Sequence, residues 1–179
     1  MICRLGLIAL LLATVASPLA AQELPPGPQP GPEHAMLKKL EGTWDAKMIM
    51  PGSTEGIPAV MTYKSECGGL WLASDFKSDA PAFKFQGKGF DGYDLAKKKF
   101  IGVWVDSMVT GIMTLEGTYD EKTKTMTMMG QGPNEQGKLV KMKNVTKMTD
   151  NDHQTFQMYM IGDDGSETLT FTINYTRRK

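Results

Sequence analysis

Methionine is the residue whose abundance asks for a chemical explanation: the chain carries 14 in 179 residues. A thioether can fill irregular gaps in a core, line a pliable pocket that re-packs around apolar molecules, or bind a soft ion such as copper(I). The spread of the methionines along the chain favours the first two uses. The two histidines, His34 and His153, are the candidates for imidazole ligation of haem or metal, and each also reads as an ordinary polar position. Asp106-Ser107 sets a carboxylate beside a hydroxyl, but no histidine is placed to complete a triad, and the pair suits a hairpin turn. Two cysteines are too few for a zinc ribbon or a disulfide framework. No catalytic residue and no metal ligand is assigned, no cofactor is implied, and the chain does not read as an enzyme.

Composition narrows the partners. Lysine plus arginine is 20 and aspartate plus glutamate is 20, so there is no basic field for nucleic acid. With 22% charged and 41% hydrophobic residues, the chain suits one ordinary globular domain. Residues 1–21 read as a signal peptide: Arg4, a 12-residue apolar run from Leu5 to Ala16, a break at Ser17-Pro18, then small Ala20 and Ala21. The run is shorter than the roughly 20 residues of a spanning helix, so no transmembrane segment is expected after cleavage. Cys3 precedes the run and leaves with the signal. Cys67 is then either a buried small hydrophobe or an exposed thiol, and burial is the expectation from cysteine's usual place in interiors. The expected compartment is periplasmic or extracellular, in a bacterium. Residues 22–31 form a Pro/Gly-rich linker, and the folded domain is expected over 32–179.

The elements that position these side chains follow from periodicity. A short helix is expected from Pro32 to about Glu41, with Met36, Leu37 and Leu40 as its stripe and Gly42 as terminator. After Gly42 the period becomes two, through ten runs of strand character. Alternation puts Trp44, Ala46, Met48 and Met50 on one inward face, and Met61, Tyr63, Ser65 and Cys67 on the next. Gly68-Gly69 is expected to form a two-residue hairpin. Phe83 and Phe85 face inward later. The run from Phe100 to Asp106 is apolar on both faces and leaves its orientation open. Met113 and Leu115, Met126 and Met128, Met142, Asn144 and Met148, Met158 and Met160, and Leu169, Phe171, Ile173 and Tyr175 continue the dry face. Consecutive antiparallel strands with one dry face each are best buried by closing the sheet, so the expected fold is all-β, an up-and-down antiparallel barrel of eight to ten strands. A two-sheet sandwich is the alternative.

Up-and-down order sorts the connections into two ends. Tight charged turns gather near Trp44, and longer Gly/Pro-rich loops gather at the other end, the expected mouth. Arg177 shares the parity of Tyr175, so a guanidinium stacked on Trp44 is expected to close the tight end. Met50, Met61, Phe83, Met113, Met128, Met142, Met160 and Leu169 are expected to line a pocket near the mouth, with Asn144 as its polar contact.

Gly42-Thr43-Trp44 followed by an inward arginine after the last strand resembles the Gly-X-Trp signature of lipocalin-like barrels. A longer set of segments resembles the secreted bacterial domain-of-unknown-function family numbered 1579. They are Gly31 to Asp45, Gly92-Tyr93-Asp94, Trp104 to Met113, Glu116 to Asp120 and Tyr175-Thr176-Arg177. That resemblance implies a barrel and a cell-envelope setting, and no chemistry. The reading is an exported barrel that binds a small apolar molecule. A haem- or metal-binding barrel, and a solid barrel acting through its outer surface in the envelope, are the alternatives. Nothing in the sequence sets an oligomeric state.

Overall fold

The computed structural model describes residues 27–81 and 83–179. The expected signal peptide (1–21) and the first half of the linker (22–26) lie outside the described residues. Gly27–Gly31 runs without regular secondary structure into helix α1 (Pro32–Lys38). Ten strands follow: β1 (Gly42–Ile49), β2 (Gly56–Glu66), β3 (Trp71–Ala80), β4 (Phe83–Asp94), β5 (Lys99–Asp106), β6 (Met113–Asp120), β7 (Thr125–Pro133), β8 (Leu139–Met148), β9 (His153–Ile161) and β10 (Glu167–Arg177). Each strand pairs antiparallel with its chain neighbours, and β1 pairs with β10 to close the barrel. Closure answers the alternation directly: every dry face turns inward and no unpaired edge is left.

The turns at the helix end repeat one device. In the β4–β5 and β6–β7 turns, Asp94 and Asp120 each accept two backbone N–H bonds through Oδ1 (2.8–3.2 Å). Lys98 and Lys124 then take positive φ to re-enter the next strand. These short aspartate turns fix the strand register, and with it which residues face inward.

Four expectations change. Helix α1 stops at Lys38, because the chain must bend so that the Leu40 carbonyl can accept the Trp44 indole N–H at 2.8 Å. Met50 is 43% exposed: pairing of β1 ends at Ile49, and Met50 opens the turn, its carbonyl accepting the Ser53 N–H. Cys67 is exposed, because the β2–β3 connection is a 3-10 turn over Cys67–Gly69 with three successive positive φ values, and no two-residue hairpin forms. Leu169 points outward. A bulge at Thr170 shifts β10, so Leu169 pairs with Tyr159 while Phe171 pairs with inward Met158, reversing parity upstream. The open question in β5 is settled by exposure: Val103 and Val105 are 42% and 45% exposed, while Phe100 is buried and Trp104 packs inward.

Candidate functional site

Trp44 is fully buried at the tight end, and the Arg177 guanidinium carbon lies 4.0 Å from its ring centroid. Arg177 donates to the carbonyls of Lys39 (2.6 Å), Asn151 (3.0 Å) and Glu41, tying β10 to the helix exit and to the β8–β9 turn. Helix α1 lies across this end with Met36 and Leu37 buried against Leu72, Phe100 and Met128. One end of the barrel is thus sealed by an indole, a guanidinium and a helix.

Above that seal the barrel is hollow. Its interior holds a cavity of about 530 Å³, within the range of small-molecule sites. Eleven methionines line it, among them Met48, Met126, Met148 and Met158 from the strands, Met36 from the helix and Met108 from the β5–β6 loop. Trp104 forms one wall because Gly87 and Gly89 opposite have no side chain: a methyl group at either would lie within 3 Å of the indole. The β5–β6 and β7–β8 loops bound the mouth, with Met108, Val109 and residues 133–136 on the cavity rim. A methyl group at Gly111 would lie 2.6 Å from Pro133 Cγ, so these two loops are packed against each other.

Met61, Phe83, Met113, Met128, Met142, Asn144 and Met160 all line this cavity, whereas Met50 and Leu169 do not. Asn144 sits mid-strand between Met128 and Met158, and its buried Oδ1 has no hydrogen-bond partner. The buried Thr170 Oγ1, exposed to the interior by the bulge, is likewise unpartnered. Both atoms are offered to whatever enters the cavity. Neither histidine lines it. The buried His34 accepts the Gly31 N–H through Nδ1 at 3.0 Å and caps the helix, and His153 Nδ1 pairs with Asp150 at 2.9 Å on the surface. Asp106 and Ser107 do turn chemistry: Asp106 accepts the Met108 N–H (2.8 Å) and the Trp104 indole N–H (3.0 Å), and Ser107 Oγ accepts the Gln86 N–H (3.2 Å).

The residue that sequence reasoning missed is Asp91. It faces the interior from β4, opposite inward Leu72 and Gly102, and lines the cavity. Burial pushes its carboxyl up to about 7, and no ion pair or hydrogen bond offsets that cost. Desolvation raises the partly buried Tyr63 phenol, and the Asp91 charge adds to that shift; desolvation likewise raises the buried Tyr175, with a lesser contribution from Tyr63. The buried Gln154, paired in register with Tyr175, lies beside Tyr63 and does not line the cavity. Asp91 and Tyr63 thus form a polar pole on the cavity wall. The signal lay in the parity of β4: Phe83, Phe85, Gly87, Gly89 and Asp91 share one face, and Gly102 across the pair leaves room for the acid.

The comparisons with known proteins bear on the fold. The family model described as "Protein of unknown function (DUF1579)" matches residues 29–177. No curated protein matches the chain. Among solved structures, Rv2717c from M. tuberculosis is similar with a TM-score of 0.60 at 12% identity, over 83% of this chain and 99% of that one. The S-type phycobiliprotein lyase CPES from Guillardia theta is similar with a TM-score of 0.52 at 9% identity, over 82% of this chain and 93% of that one. At such identities the likeness is one of fold alone.

Proposed function

From the premise that the chain belongs to the DUF1579 family and folds as a closed ten-stranded barrel, we propose that it is an exported carrier or receptor for a small, largely apolar molecule held inside the barrel. The observation that carries this reading is the cavity: about 530 Å³ is left open by side chains that could have filled it. Protein interiors are otherwise close-packed, and an empty apolar volume costs stability. Glycines at 87, 89 and 102 on the inner face keep that volume free. Methionine walls adapt to the shape of an occupant at little cost. Asn144 and Thr170 supply the few convergent polar atoms that orient a ligand in such sites. The signal-like residues 1–21 support export.

A haem reading loses its axial histidine, since both histidines serve local roles away from the cavity. A solid barrel acting only through its surface would not keep a chamber of this size. Native mass spectrometry of the protein isolated from its own compartment tests the proposal. A retained organic mass that disappears on denaturation supports it. The bare chain mass both before and after incubation with N-phenyl-1-naphthylamine contradicts it.

A further inference from the structure

The charges on the cavity wall are all of one sign. Asp91, Asp106 and Glu135 line the cavity, and among the described residues no lysine, arginine or histidine does. Asp106 spends its oxygens on the Trp104 indole and the Met108 amide at the mouth. Asp91 is different. It lies deep, without a donor, with one oxygen set over the bare Cα of Gly102: a methyl group there would lie 2.6 Å from Oδ1. Around this pole the wall is aromatic, with Phe76, Phe100, Trp104 and Tyr63.

Resting on the ligand-binding reading above, we propose that the natural occupant is a cationic amphiphile, an apolar body bearing a protonated nitrogen that pairs with the Asp91 carboxylate. Three observations converge on that class. An anionic amphiphile such as a fatty acid would bring a second negative charge into a chamber that has no cation to receive it, a repulsion strong at low dielectric. A protonated nitrogen supplies the donor that Asp91 lacks, in the strongest hydrogen-bond class available to a carboxylate. Aromatic faces and polarisable thioethers stabilise a desolvated cation beside them.

The test uses three probes of one tail length at pH 8, below their micelle concentrations: dodecylammonium, dodecanol and dodecanoate, each displacing bound N-phenyl-1-naphthylamine from the full barrel. The inference predicts that dodecylammonium competes about tenfold or more better than dodecanoate. It predicts that Asp91→Asn brings the ratio of dodecylammonium to dodecanol affinity toward one. Gly102→Ala, whose new methyl must push the carboxyl aside, should lower the same ratio and covers the case in which Asp91→Asn does not fold. Dodecanol binding without a preference for the amine, or a preference that survives both variants, overturns the inference and leaves the carrier reading standing. Failure of all three probes and of the naphthylamine to bind overturns both.

Discussion

A carboxyl group buried without a partner is expensive, and at Asp91 the expense has a pH signature. Its folded-state value near 7 stands above the unfolded value near 4. The native state therefore holds the proton more tightly, so this group's contribution is fully present below about pH 4 and is lost as pH rises through 7. Its size is at most about 4 kcal/mol. Tyr63, which feels the Asp91 charge, and Tyr175 beside Tyr63 are both raised and stay neutral throughout that window. Asp91→Asn, neutral at every pH, is accordingly expected to melt higher than the parent at pH 8 and close to it at pH 4, as read by thermal unfolding at the two pH values. Equal melting temperatures at pH 8 would remove Asp91 from the interior pole. At the other end of the barrel, Arg177 both stacks on Trp44 and binds three carbonyls. Arg177→Met leaves those acceptors unpaired and is expected to cost about 3 kcal/mol in denaturant unfolding. The pairing of these two residues was legible from parity alone. Asp91 was not, because two inward glycines interrupt the apolar pattern of β4 and disguise its phase.

At the level of elements, alternation is informative as long as the ladder is regular. Nine of the ten methionines that parity turns inward line the cavity, and the exception, Met50, lies one residue beyond the last pair of β1. The bulge in β10 is the second failure, and it has no composition cue: Leu169-Thr170-Phe171 reads as unbroken alternation, yet the extra residue sends Leu169 outward. Substitution separates the two registers. Leu169→Thr should change stability by no more than about 0.5 kcal/mol, whereas Phe171→Thr, which strips an aromatic side chain from the inner wall, should cost at least about 2 kcal/mol. Denaturant unfolding of both variants checks this, and a large loss in Leu169→Thr would mean that β10 is unbulged. The turn at Cys67 was misread for a related reason. Two adjacent glycines suit a tight hairpin, but the preceding cysteine joins them in positive φ and lengthens the loop.

For the whole molecule, the fold was readable because one rule, closing a sheet of half-dry strands, left little choice of architecture. The chamber was not readable. Whether inward methionines meet in the middle or stand apart depends on barrel radius and on the inner-face glycines, which strand periodicity does not report. The expectation of export is checked separately: N-terminal sequencing of the exported protein should begin at Gln22, and an intact Met1 would contradict it.

Whether the interior is a binding chamber is read by fluorescence titration with the neutral probe N-phenyl-1-naphthylamine. A binding interior predicts saturable, one-to-one uptake by the folded protein. It predicts that uptake is lost in Met160→Trp, which plants an indole on the cavity wall opposite Met142, while circular dichroism shows the barrel intact. Absence of saturable uptake by the parent, or uptake that is indifferent to an intact, filled barrel, would contradict it.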